Sequence, residues 1–237
     1  MPTGAYQFTD LNQNWEVRRR YKRAVLDRKL PVVCRTCNNT WMSELEDKHA
    51  KPAMAELIVS NKRVSLSPER LKSIANFAFK SVVIADRAST ENPKLQGREP
   101  FFTTRARYAF RESLTIPDNV QMWLAAFEEN TYGLFNAIYY PSPPETVPAF
   151  ESYALTFGAG FLLIQVVASR PLRAGAGNFR FDVTQGAGWD RVSTPFWPNS
   201  GRAILWPPEG PLNFAWGQLF AHRWNGTDID TDPGDSH

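Results

Sequence analysis

The chain has 237 residues, of which 43% are apolar and 22% charged, an ordinary composition for a protein that buries a full core. Two cysteines are far too few for a secreted disulfide scaffold, so a closely spaced pair suggests metal ligands or a redox pair. No apolar run approaches the roughly 20 residues that cross a bilayer, and the N-terminus lacks a signal-peptide pattern. These features favour a soluble cytoplasmic protein with no membrane partner.

The net charge is only +3, but basic residues are concentrated near the N-terminus. Between Glu16 and Cys37 there are eight of them against two acids. Such a run can neutralise the phosphates of DNA or RNA, and it is at least as typical of a solvated helix face. The candidates for nucleic-acid contacts are Arg18, Arg19, Arg20, Lys22, Arg23 and Arg35. The C-terminal tail, in contrast, is acidic.

In chain order, residues 1–14 show little periodicity and predict an arm without regular structure. Residues 15–30 are compatible with a charged helix that Pro31 ends. A second helix is predicted from about Thr40 to Ala50, with Trp41 and Leu45 as core contacts. The proline that follows at position 52 either ends this helix or opens a short one that reaches residue 59.

Serine, proline and glutamate at positions 67–69 predict a strong helix start, with a cap, a proline in the first turn and an early acid. A further helix is expected from Thr103 to Leu114. The helix after residue 67 has apolar residues at helical spacing and is expected to be buried on most sides. These residues are Leu71, Ile74, Ala75, Ala78, Val82 and Ala85.

Beyond residue 119 the pattern changes to strands, because aromatic and β-branched residues dominate three segments. A turn from Asn130 to Gly133 is expected to join the first two, and Phe179 to Val183 predicts one more strand. Leu212 to Arg223 predicts a short amphipathic helix. The three strand segments are Val120 to Phe127, Tyr132 to Tyr140 and Tyr153 to Ala168. An α+β fold follows, with a helical N-terminal third and a mainly antiparallel β-rich C-terminal part.

The only two cysteines, Cys34 and Cys37, are spaced so that both sulfurs can face one metal ion from a tight turn. A structural zinc ion takes four nitrogen or sulfur ligands, so two more must come from His49, His222, His237 or a second chain. His49 is about three helical turns beyond Cys37, too far to complete the same tetrahedron. An idle thiol pair and a reactive dithiol are the alternatives to zinc.

The segment CRTCNNTWMSELE, residues 34–46, closely resembles the second knuckle of HNH endonuclease-like bacterial proteins, in which C-x-x-C-N leads into a W-M-x-x-L-E helix. In that family an earlier C-x-x-C supplies two more zinc ligands, and a Glu-His or Asp-His pair supplies a metal ligand and the general base. Neither precedes Cys34 here. The resemblance implies a partial treble-clef-like knuckle with structural zinc, and a residual Mg²⁺ or Mn²⁺ position at Asn38. Helix capping is the alternative role for Asn38 and Asn39.

These features predict a nucleic-acid-associated HNH-like zinc-finger protein, truncated or degenerate, with weak or absent nuclease activity because no base is in place. Residues 1–66 would form a basic arm and knuckle module, and residues 67–237 a helix and a β-rich body with the acidic tail. A homodimer that completes the zinc site is a further expectation. Two other functions stay open: an active metal-dependent endonuclease with residues supplied in trans, and a non-catalytic protein-interaction module.

Overall fold

The computed structural model describes residues 5–11, 17–24, 33–90, 99–141, 150–172, 189–198 and 200–222. Helices and antiparallel sheets both contribute to it, which confirms the α+β class. Contacts divide the chain into two compact units, Met1–Pro31 and Val32–His237. The knuckle and the β-rich body therefore belong to one unit, whereas the sequence suggested a division after residue 66.

The first unit contains an antiparallel pair of strands, β1 (Ala5–Leu11) and β2 (Val17–Ala24). The register pairs Asp10 with Arg19 and becomes irregular directly after that pair. The predicted arm and the predicted helix over residues 15–30 are therefore wrong in these two segments. The physical reason is that the basic run has no apolar stripe of helical period to bury, so its weak helix preference yields to strand pairing.

The second unit begins with a path of helical turns. It comprises α1 (Arg35–Cys37), two wide π-type segments (Asn38–Met42 and Leu45–Ala50) and α2 (Lys51–Val59). The helix predicted to start near residue 40 is thus part of a longer path that starts earlier. Pro52 lies in the first turn of α2, so it opens a helix, one of its two predicted roles.

Two further helices form where the sequence predicts them, α3 (Pro68–Thr90) and α4 (Thr104–Ser113). The Ser67 hydroxyl accepts a hydrogen bond from the Arg70 N–H at 3.3 Å, and the Thr103 hydroxyl accepts one at 3.2 Å in the first turn of α4. All six predicted apolar positions of α3 are buried. Both predictions are confirmed.

A long antiparallel hairpin of β4 (Val120–Pro141) and β5 (Phe150–Pro171) forms the main sheet. Strand β6 (Ser193–Trp197) pairs with the other edge of β4. A separate small pair joins β3 (Val64–Leu66) to β7 (Ile204–Trp206). The named strands pair antiparallel, as the sequence predicted for the C-terminal part, and one isolated parallel bridge joins Phe127 to Leu212.

The predicted turn from Asn130 to Gly133 is wrong, because β4 continues through it. The strand register shifts on both sides of Thr131, and the polar residues before it are exposed. A solvated, irregular stretch of a long strand has the same polar composition as a turn, so composition alone does not separate the two. The predicted strand from Phe179 to Val183 lies outside the described residues.

The main sheet is covered on both faces. Along β4, Met122 and Leu124 belong to one hydrophobic core, and the alternating residues Trp123 and Ala125 belong to a second. Side chains of α2, α3 and α4 contribute to the first core. The second core includes residues of α5 (Trp189–Val192) and α6 (Phe214–His222). The presence of α6 confirms the last predicted helix.

Burial on both faces explains why these strands are nearly continuous apolar runs. Within the described ranges, no helix combines the length and the apolar character needed to cross a membrane.

Gly160 of β5 tests the close packing of β5 on α2. Its φ is +61°, and a Cβ at this position would overlap the carbonyl oxygen of Ile58. We expect Gly160→Ala to lower the free energy of unfolding by about 1–3 kcal/mol from backbone strain alone, and further through the overlap. Gly201→Ala is the matched control, since its φ is +74° but its Cβ meets nothing within 4 Å. Urea denaturation measures both; equal losses would contradict the close approach.

Candidate functional site

The knuckle is the start of the helical path, and Cys34 caps it. Cys34 has an extended backbone, and its Sγ accepts a hydrogen bond from the Cys37 N–H at 3.2 Å. The thiol thus stands where a serine or aspartate oxygen caps an ordinary helix. Asn38 already has helical dihedrals (φ −64°, ψ −43°), and Asn39 follows it within the path. The N-capping role considered for these two asparagines is therefore wrong, because Cys34 holds the N-cap and Asn38 lies at the C-cap of α1.

A single irregular residue, Thr40, separates the cysteines from the rest of the path. Its dihedrals are non-helical (φ −112°, ψ −105°), and its hydroxyl donates a 2.8 Å hydrogen bond to the Thr36 carbonyl. Side-chain bonds of this kind bend helices. The next residue, Trp41, packs edge-on against Phe110 of α4, with ring centroids 6.0 Å apart. This contact attaches the knuckle to α4 and confirms the predicted core role of Trp41.

The two thiols differ in their surroundings. Cys34 is exposed and Cys37 is half-buried, and neither is in a disulfide. Hydrogen bonds from the Cys37 thiol and then from its backbone N–H hold the pKa of Cys34 below its ordinary value, and the positive charge of Arg111 lowers it further. A lower pKa increases the fraction of thiolate, which is the form that binds metals and attacks electrophiles.

A cleft of about 320 Å³, which we call the knuckle cleft, opens beside the cysteines between the knuckle, α3 and α4. Both cysteines line it, together with aromatic and aliphatic side chains. No carboxylate is present among the described residues that form its wall, whereas four cations are. The cations are Lys80, Arg87, Arg107 and Arg111.

The four cations are held in different ways. Lys80 is buried, forms an ion pair with Glu46, and has its ammonium 4.6 Å from the centre of the Phe77 ring. The Arg107 guanidinium donates a 2.9 Å hydrogen bond to the Thr104 hydroxyl. Arg87 is half-buried and Arg111 is exposed. The charge of Lys80 is thus balanced by Glu46 within the protein.

Sequence reasoning missed these four cations. Lys80 and Arg87 are seven positions apart on α3, and Arg107 and Arg111 are four apart on α4, so each pair shares one helix face. That periodicity is visible in the sequence. Nothing in it indicates that the two faces meet beside Cys34.

The predicted nucleic-acid contacts are divided between the two units. Arg35 is exposed in α1, and the other five basic residues occupy β2, in the other unit. Asn38, the predicted Mg²⁺ or Mn²⁺ position, is exposed, and its amide donates to the Asn39 side-chain oxygen at 3.3 Å.

The carboxylates that follow the knuckle are each paired with a lysine. Glu44 is 2.6 Å from Lys48, and Asp47 is 2.5 Å from Lys51. Hydrogen bonds from these lysines hold the pKa values of the two carboxyls below their usual range. Glu46 pairs with Lys80, as described above. These acids therefore act as partners for lysines, in agreement with a structural role.

Cys34 and Cys37 would supply two of the four ligands that a tetrahedral zinc site takes. Two thiolates in one turn are the right donors for zinc. Within the part of the chain that the structure describes, no group of three or more histidine, cysteine or acidic side chains is placed to hold a metal ion. His49 is exposed at the far end of the second wide segment. The side chain of His222 and the whole of His237 lie outside the described residues.

Comparison with family models, with curated proteins and with solved structures finds no match to this chain. The resemblance to HNH-like proteins therefore rests on the residues of the knuckle segment itself.

The thiol of Cys34 offers a test of the electrostatics of the cleft. In zinc-free protein, we expect iodoacetamide to modify Cys34 with a pH midpoint below that of an ordinary cysteine, because its lowered pKa gives more thiolate. Arg111→Met removes a nearby positive charge, so the midpoint should move upward and the rate near pH 7 should fall. Arg105→Met is the control, since Arg105 is exposed on the same helix but does not line the cleft. Peptide mass spectrometry gives the rates; an unchanged midpoint in Arg111→Met would contradict the assignment.

Proposed function

We propose that this chain is a nucleic-acid-associated protein with an HNH-like zinc knuckle, and that the knuckle cleft holds backbone phosphates. The observation that carries the proposal is the pair Arg107 and Arg111 on α4, which lines the cleft beside Cys34 and Cys37 with no carboxylate among the described wall residues. Phosphate suits such a cleft because a planar guanidinium donates two parallel, charge-assisted hydrogen bonds to it.

Arg107 and Arg111 are the residues best placed for phosphate contact. They lie one helical turn apart on α4 and both line the cleft. Arg111 is exposed, and phosphate oxygens can replace the water molecules that its guanidinium loses on binding. Lys80 contributes less, because Glu46 already balances its charge.

The knuckle has a structural part in this proposal. Cys34 and Cys37 contribute two thiolates, and the same pair from a second copy would complete a four-sulfur zinc site. A homodimer therefore belongs to the proposal, and zinc would fix the knuckle in its folded form. Asn38 remains the position for Mg²⁺ or Mn²⁺ if the chain cleaves its substrate. The sequence has no histidine before His49, so binding is proposed in preference to cleavage.

Salt-dependent binding tests the phosphate contacts. We expect fluorescence anisotropy with labelled DNA and RNA oligonucleotides to show affinity that falls as salt rises. In Arg107→Gln and Arg111→Gln, each lost phosphate contact should reduce the slope of log affinity against log salt by about 0.7–0.9. Arg105→Gln is the matched control and should keep the wild-type slope. Absence of binding to every oligonucleotide, or equal slopes in all four proteins, would refute the proposal.

Zinc content tests the knuckle separately. We expect purified protein to carry about one zinc ion for two chains, since each chain supplies two of the four ligands that structural zinc takes. Cys34→Ser and Cys37→Ser should each lose the metal and the dimer, whereas His49→Ala should keep both. Elemental analysis and sedimentation give the two readouts. Zinc that survives in Cys34→Ser, or that is lost in His49→Ala, would contradict this ligand set.

A further inference from the structure

The knuckle cleft has an aromatic and aliphatic side as well as a cationic one. Trp41, Tyr108 and Phe110 all line it, together with Met42 and Val83. Tyr108 lies on α4 between Arg107 and Arg111 in sequence, and it is 54% exposed. An exposed aromatic ring beside arginines is the combination on which nucleic-acid bases stack. A phosphate alone would leave this apolar wall without a contact.

Trp41 adds a fixed aromatic ring to the apolar wall of the cleft. Its indole N–H is buried, and no acceptor is found for it among the residues that the structure describes. The ring itself is held in place by its edge-on contact with Phe110. Because this N–H is buried, Trp41 contributes apolar ring surface to the cleft and no accessible hydrogen-bond donor.

The size of the cleft limits what it can hold. A volume of about 320 Å³ is at the lower end of the range for small-molecule pockets, which starts at about 300 Å³. It admits one planar ring with an attached charged group. A double helix, whose major groove alone is about 12 Å wide, cannot enter it.

We propose that the knuckle cleft binds one nucleoside monophosphate unit, with its base against Tyr108 and Trp41 and its phosphate on Arg107 and Arg111. This inference rests on the proposed function, because it names the part of the nucleic acid that enters the cleft. The unit is either a free nucleotide or the phosphorylated end of a single strand. Both present the same chemistry: a planar ring for the aromatic side of the cleft, and a dianion for the arginines.

Calorimetric titration of the whole protein with adenosine monophosphate, adenosine and inorganic phosphate tests the combination. We expect the monophosphate to bind at least tenfold more tightly than either fragment, because each fragment uses only one side of the cleft. Tyr108→Ala should weaken monophosphate binding by about tenfold through lost stacking, whereas Tyr108→Phe should stay within about twofold of wild type. Tyr108 is exposed, so neither change should affect folding. Equal affinity for monophosphate and phosphate, or an unchanged Tyr108→Ala, would overturn the inference.

A second arm identifies the source of the unit and separates the two proposals. If a 5′-phosphorylated single strand binds more tightly than the unphosphorylated strand and the monophosphate competes with it, the ligand is a strand end. If the monophosphate binds but no oligonucleotide does, the ligand is the free nucleotide and nucleic-acid association is wrong. If oligonucleotides bind with the expected salt dependence but the monophosphate neither binds nor competes, nucleotide capture is wrong and phosphate-backbone binding stands.

Discussion

The aromatic contacts of Phe79 are the interaction on which the arrangement of the site depends. Phe79 is fully buried in α3, with ring centroids 4.8 Å from Phe110 of α4 and 5.2 Å from Phe102. Phe110 in turn contacts Trp41 of the knuckle. Three segments that are distant in sequence are thus joined through one chain of edge-on rings. The main sheet, which is buried on both faces, provides the surface on which α3 and its ring contacts are held.

The residues that carry the resemblance to HNH-like proteins have mechanical roles here. Trp41 packs on α4, Leu45 is buried in the main core, and Glu46 pairs with the buried Lys80. A buried ammonium needs such a partner, since an unpaired charge in the interior is costly. The tryptophan, leucine and glutamate of the motif therefore attach the knuckle to the body, and they leave the cysteines accessible at its tip.

Positive charge beside the cysteines favours one protonation state of Cys34, the thiolate. Positive charge near Cys34 lowers its pKa and favours the thiolate, which is also the form that ligates zinc. In the proposed function Arg111 also contacts phosphate. A zinc ion held by four thiolates carries a net negative charge, so in the proposed dimer the nearby arginines would offset charge from the zinc site as well as from phosphate.

The sequence by itself determined the local features: the α+β class, the cap at Ser67, the helix that begins near Thr103, the buried stripe of α3 and the cysteine pair. Each depends on residues within a few positions of one another, through capping, periodicity or ligand spacing. Tertiary structure decided the rest. Strand pairing turned the basic run into β2, and β4 continued through an expected turn, because those outcomes depend on distant partners. Likewise, only the packing of α3 and α4 around Phe79 and Phe110 brought two pairs of cations to the cysteines, since helical spacing defines a face but not its neighbour.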